Sequence, residues 1–80
     1  MIKVKEILEQ KDSFPLDGEA YVVGQTEDGR YFFAWGWEYP KDNELPEKEV
    51  LDGANGFQFY NTEEEALGAM REAEEAAEQT

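Results

Sequence analysis

The chain has 80 residues, of which 20 are Asp or Glu and 7 are Lys or Arg, so its formal net charge is −13. It contains neither cysteine nor histidine. This excludes a disulfide framework, a thiolate or imidazole metal site, and catalysis that depends on a Cys or His side chain. The acidic excess argues against direct binding of nucleic acid, because phosphate groups would be repelled. The length predicts a single domain over residues 1–80.

The first segment of the chain fits two kinds of element. Val4, Ile7 and Leu8 have helical spacing, so we predict a short N-terminal helix over residues 2–10. The alternation that starts at Ile2 also fits an extra strand, which is the alternative. Two turn signals should end either element before the next one begins: Phe14-Pro15 and Asp17-Gly18.

The clearest local signal is a β-hairpin formed by residues 19–26 and 30–37. Asp28-Gly29 between them is a preferred two-residue type I′ turn. With that loop, Val22 would face Trp35 across the hairpin. Alternation then predicts a core face with Ala20, Val22, Gly24, Thr26, Tyr31, Phe33, Trp35 and Trp37. The second face would lack an obvious cover and would hold Tyr21, Val23, Gln25, Phe32, Ala34 and Gly36.

A third strand and a helix follow in the last part of the chain. Residues 56–60 (GFQFY) predict a strand with Phe57 and Phe59 on one face. Thr62 and Glu65 then have the spacing of a capping box, so a helix should begin here. Its apolar stripe would consist of Ala66, Leu67, Ala69, Met70, Ala73, Ala76 and Ala77.

Together these elements predict an α+β fold. We expect a small antiparallel three-stranded β-meander packed against a C-terminal helix, with a short N-terminal helix or an extra strand. Residues 38–55 are predicted as a long acidic connecting loop, in which Pro46 and Gly53 could bound one or two helical turns. A connection of this length in a compact domain is more often functional than inert.

The side chains available exclude most kinds of chemistry. A Ser or Thr nucleophile would lack its usual base, and no glycine-rich phosphate-binding motif is present, so we predict no enzymatic activity and no cofactor. The acidic loop lacks the spacing of a calcium loop, so no specific metal site is expected. No apolar run approaches the length of a membrane span and no signal peptide is evident. We therefore expect a cytoplasmic protein without a membrane partner.

The negative charge is concentrated in two segments, and this concentration suggests a partner. Residues 38–52 carry six acids against two lysines, and residues 61–80 carry seven glutamates against one arginine. Glutamates three or four residues apart on a helix have Cβ atoms about 5–6 Å apart. This is comparable with the separation of phosphates along a nucleic-acid strand, so the glutamates could occupy a basic groove built for DNA or RNA. Aromatic side chains at the rim could anchor the contact. The predicted partner-binding residues are Trp37, Glu38, Tyr39, Asp42, Glu44, Glu47, Glu49, Glu64, Glu72 and Glu75.

In size, acidity and lack of cysteine, the chain resembles the small proteins that phages use to block host defence enzymes. These include anti-CRISPR and anti-restriction nucleic-acid mimics. The resemblance rests on size and charge rather than on matched residues, so no site is carried over. It implies an inhibitor that binds a protein with a basic, nucleic-acid-binding surface.

Two other interpretations stay open at this point. One is a small protein–protein interaction module, such as an immunity-type or regulatory subunit or a homodimer, that binds through the aromatic sheet face. The feature behind it is the set Tyr21, Val23, Phe32 and Ala34. The other is a protein whose acidity serves only solubility or adaptation to salt.

Overall fold

In the part of the chain that the structure describes, the fold consists of one curled antiparallel sheet of five strands and a C-terminal helix. A computed structural model describes residues 1–12 and 20–78. The elements are β1 (Ile2–Asp12), β2 (Ala20–Thr26), β3 (Tyr31–Gly36), β4 (Glu44–Leu45), β5 (Gly56–Tyr60) and α1 (Glu63–Glu78). The strand order is β4-β1-β2-β3-β5. The predicted α+β class is confirmed, but the three-stranded meander is enlarged by β1 and β4. The predicted turn signals between β1 and β2 lie outside the described residues.

The N-terminal segment is a strand, so the preferred helix over residues 2–10 was wrong and the extra strand was right. β1 pairs antiparallel with β2, and its register shifts between Val4 and Glu6 and again between Ile7 and Glu9. Each β-bulge adds a residue and interrupts the alternation of side chains. As a result Val4 packs on one face of the sheet and Leu8 on the other. These interruptions give the apolar residues a spacing that imitates a helix.

The β2–β3 hairpin is confirmed, but its loop has three residues rather than two. The Thr26 N–H donates to the Arg30 carbonyl (2.8 Å), and the Gly29 N–H donates to the Thr26 carbonyl (3.1 Å). Gly29 has a φ of +91°, as expected for the left-handed residue of a three-residue hairpin loop. Val22 therefore faces Ala34, not Trp35.

This one-residue slip regroups the side chains of β3 relative to β2. Tyr21 and Val23 share a face with Phe33, and Val22 shares the opposite face with Phe32. The predicted core face and the predicted second face were therefore both wrong in composition.

Both faces of the sheet are covered. On one face, Ala66 and Met70 of α1 are buried together with Val23 and Phe33. On the other face, Leu45 of the connection is buried against a cluster that includes Phe32. The four side chains predicted to lie uncovered are all buried: Tyr21, Val23, Phe32 and Ala34.

The acidic connection between β3 and β5 forms the cover of this second face. Asp42 and Asn43 have φ values of 56° and 59°, and the Glu44 N–H donates to the Lys41 carbonyl (3.0 Å). This is a two-residue turn with positive φ at both central positions, as a type I′ turn requires. The turn leads into β4, which pairs with β1. The helical turns suggested between Pro46 and Gly53 do not form.

The last strand and the helix agree with the sequence in their main features. β5 spans the predicted residues, and the Phe57 and Phe59 rings lie 5.3 Å apart on the same face. The Glu65 N–H donates to Thr62 Oγ1 (3.1 Å), which caps α1 as predicted. Ala66 and Met70 are buried, and Leu67, Ala69 and Ala73 are half-buried. Ala76 is exposed, so the packed stripe ends earlier than predicted.

Candidate binding surfaces

The outer side of α1 carries a row of carboxylates that we call the helix acidic surface. Glu64 and Glu75 are eleven residues apart, which places them on the same side of the helix at about 16 Å along its axis. Arg71 is exposed on the same side. Glu74 is different, because it is half-buried and its Oε2 lies 3.2 Å from Lys11 Nζ. The helix acidic surface consists of the exposed residues Glu64, Glu65, Glu72 and Glu75, whereas Glu63 is exposed at the start of the helix on the side of Met70.

Several acids of the connection are engaged with the chain itself. Glu44 lies opposite Lys3 in the β1–β4 pair. Glu47 lies 3.9 Å from the N-terminal ammonium group. Glu49 Oε1 accepts the Phe59 N–H (3.0 Å) and so satisfies a donor on the outer edge of β5. Of these predicted partner-binding residues, Glu47 and Glu49 therefore have side-chain contacts within the chain, and Glu44 has a fixed position in the sheet.

The remaining predicted residues of the connection differ in exposure. Glu38 and Asp42 are exposed. Trp37 is 75% exposed, while its backbone N–H donates to Asn55 Oδ1 (2.9 Å). Tyr39 is half-buried, and the centre of its ring lies 5.2 Å from that of Phe57, in the cluster on the face that the connection covers. Trp37 is therefore available to a partner, whereas Tyr39 is largely a core residue.

The two acidic segments lie on opposite faces of the sheet, since α1 covers one face and the connection covers the other. They approach each other at the β5 edge, beside the half-buried Tyr60. Burial raises the pKa of Tyr60, and the negative charges of Glu49, Glu72 and Glu65 raise it further. The sequence located both segments but could not show this separation, which depends on the strand order.

A groove of about 450 Å³ opens between α1 and the sheet at the ends of β3 and β5. We call it the aromatic groove. The Phe33 ring lies 5.6 Å from Tyr21 and 5.3 Å from Trp35. The side chains that matter for its chemistry are Tyr21, Phe33, Trp35, Tyr60, Gln58 and Glu72.

Sequence reasoning missed the aromatic groove because of the predicted two-residue loop. That loop placed Tyr21 and Phe33 on different faces, whereas the observed register brings them together. The signal that was available is the aromatic alternation of Tyr31, Phe33 and Trp35 in β3. It could have located the groove only together with the correct register.

Comparisons with known proteins do not place the chain in a family. No protein-family model matches it, and no curated protein or solved structure is significantly similar to it. Within residues 1–12 and 20–78, no three acidic side chains are grouped so that they could hold a metal ion. In the same part of the chain, no helix combines the length and the apolar character needed to cross a membrane.

Proposed function

We propose that this protein is a non-enzymatic inhibitor that binds a nucleic-acid-binding protein by occupying its basic groove. The helix acidic surface is the part that would enter the groove, as a mimic of a nucleic-acid strand. The observation that carries the proposal is the row of exposed carboxylates on α1, where Arg71 is the one basic residue. The small size and acidity favour a phage anti-defence protein of the anti-CRISPR type, acting in the cytoplasm.

The spacing of the charges supports mimicry of a strand. Residues Glu64 to Glu75 span about 16 Å of helix axis, so the four carboxylates of this surface average on the order of one charge per 4 Å, with Arg71 between the two pairs. A single strand of duplex DNA presents one phosphate per about 3.4 Å of axis. A basic groove that pairs with phosphates at that density could therefore pair with these carboxylates.

The scaffold supports the proposal because it holds the helix in place before binding. Ala66 and Met70 fix α1 on the sheet, and Thr62 caps its first turn. A surface that is already ordered loses less conformational entropy when it binds. The net charge of −13 would also steer the protein towards a basic partner and make the association weaken with salt.

The proposal is tested by capture and competition. The immobilised protein is exposed to a bacterial lysate at salt concentrations from about 50 mM to about 0.5 M, and bound proteins are eluted with duplex DNA or RNA. We expect a captured protein that binds nucleic acid, that is released by the competing nucleic acid, and that is lost as salt rises. Capture that is insensitive to both salt and nucleic acid would contradict the proposal.

A second candidate function is a small protein–protein interaction module, including a homodimer. The aromatic sheet face considered for it is buried, so another surface would be needed. Trp37, Ile7 and Pro40 line a second groove of about 270 Å³, and Trp37 and Ile7 are 75% and 40% exposed. Such a module would bind through this apolar patch and would tolerate charge reversal on α1.

A further inference from the structure

The aromatic groove has the composition of a site for an organic cation. Four rings contribute to its walls, and Glu72 contributes a carboxylate. None of the described residues that line it is Lys or Arg. The face of an aromatic ring carries negative potential and attracts ammonium and guanidinium groups. A groove lined by several aromatic rings and one carboxylate, and by no Lys or Arg among the described residues, is therefore complementary to a positive charge.

The rings that form the walls are held in position. Trp35 Nε1–H donates to the Asp52 carbonyl (2.6 Å), and the Tyr60 hydroxyl donates to Gln58 Oε1 (3.0 Å). A Cβ at Gly56 would overlap the Trp35 ring, so glycine at this position lets the indole lie against the β5 backbone. Walls that are fixed in advance reduce the entropy lost when a ligand enters.

The electrostatic surroundings favour a cation as well. Tyr60 lies where the two acidic segments converge, and the charges of Glu49, Glu72 and Glu65 act on its hydroxyl. These carboxylates make the electrostatic potential at the mouth of the groove more negative. A cation that enters would gain from both the ring faces and this potential.

We propose that the aromatic groove binds an arginine side chain of the basic partner, an inference that rests on the proposed function. The planar guanidinium can stack on Trp35 or Tyr60 and at the same time pair with the Glu72 carboxylate. Lysine lacks the plane that would stack. Basic grooves that hold nucleic acid present arginines at their surface, so an arginine beside the helix acidic surface would find the aromatic groove within reach.

The two tryptophans of the chain provide a direct test. Trp35 lines the aromatic groove, whereas Trp37 is 75% exposed outside it. N-acetyl-arginine amide is titrated into the ¹⁵N-labelled protein, and the two indole N–H resonances are followed by NMR. For a ligand of about 15 non-hydrogen atoms we expect saturation of the Trp35 shift with a Kd on the order of 1 mM. The Trp37 resonance should stay in place.

Two controls test whether binding requires the positive charge of the ligand and the negative charge of Glu72. N-acetyl-citrulline amide has nearly the same shape without the charge and should not shift Trp35. Glu72→Gln should weaken binding of the arginine amide about tenfold, whereas Glu27→Gln, the identical change at the exposed hairpin tip outside both proposed binding surfaces, should leave the Kd unchanged. Equal shifts with arginine and citrulline, or no shift of Trp35, would overturn the inference.

The outcome separates the failure of this inference from the failure of the proposed function. The titration uses no partner protein. If the arginine amide does not bind while a nucleic-acid-binding protein is still captured and released by DNA, the groove assignment fails and the proposed function stands. If the amide binds but capture is insensitive to nucleic acid and salt, the proposed function fails, and with it the assignment of the arginine to a basic partner.

Discussion

Asp28 organises the tip of the β2–β3 hairpin through its carboxylate. Arg30 donates to Asp28 Oδ2 from Nη2 (2.8 Å) and Nε (3.1 Å), and the Thr26 hydroxyl donates to Oδ1. These hydrogen bonds, chiefly those from Arg30, lower the pKa of Asp28 from 3.8 to about 2. The Arg30 guanidinium also lies 4.0 Å from the centre of the Phe59 ring, which ties the turn to β5.

This arrangement predicts a specific pH dependence. The pKa of Asp28 is lower in the folded chain than in the unfolded one, so its ionised form stabilises the fold above about pH 4. That contribution is lost as the pH falls through about 2. Asp28→Asn should therefore lower the free energy of unfolding at about pH 6, and the difference from the natural sequence should shrink towards about pH 2. Urea unfolding at several pH values measures it, and a difference that does not change with pH would contradict the assignment.

At the scale of elements, the features that were predicted correctly are those whose signals lie in residues next to each other in the sequence. Asp28-Gly29 predicted the hairpin, the pattern at residues 56–60 predicted β5, and Thr62 with Glu65 predicted the start of α1. The β1 strand was only the alternative to a predicted helix, because two bulges interrupt its alternation. The slip of one residue in the hairpin, caused by the left-handed Gly29, was enough to change which side chains of β3 share a face with those of β2.

The candidate sites were harder to predict than the elements. The exposed glutamates of α1 follow from the apolar stripe on the opposite side of the helix, so the sequence located them well. The contacts of Glu44, Glu47 and Glu49 depend on β4 and on the edge of β5, which only the assembled sheet defines. The aromatic groove requires both the hairpin register and the position of α1, and neither is a local property.

Gly36 shows how closely the end of β3 meets the connection, and it yields a prediction with a matched control. Gly36 has a φ of +94°, and a Cβ there would overlap Asn55 Oδ1 and the Ala54 carbonyl. Gly36→Ala should cost more than about 2 kcal/mol, from backbone strain and overlap together. Gly53→Ala meets no atom within 4 Å and should change stability by less than about 0.5 kcal/mol. Denaturant unfolding of both variants checks this, and equal losses would show that the contact at Gly36 is not tight.

At the scale of the whole molecule, the two segments that carry most of the net charge of −13 lie on opposite faces of the sheet. The connection covers one face and uses several of its acids for internal contacts, whereas α1 covers the other face and keeps most of its acids exposed. Carboxylates of the two segments come together near Tyr60. This division makes the helix acidic surface the better candidate for binding, because its carboxylates have fewer contacts within the chain.

The central claim is that binding depends on where the acids lie and not merely on their number. The direct measurement compares Glu64→Lys/Glu75→Lys on α1 with Glu6→Lys/Glu27→Lys on β1 and the hairpin tip. All four glutamates are exposed, and each double variant changes the net charge equally. Neither variant alters Glu72, so the aromatic groove keeps its carboxylate.

For the nucleic-acid-binding protein recovered by competition, we expect the α1 variant to bind at least about tenfold more weakly at moderate salt. The β1 variant should bind within about twofold of the natural sequence. Calorimetry or a binding titration gives both dissociation constants, and circular dichroism confirms that both variants are folded. Equal losses would mean that bulk charge alone drives the association, and an unchanged Kd for the α1 variant would contradict the proposed function.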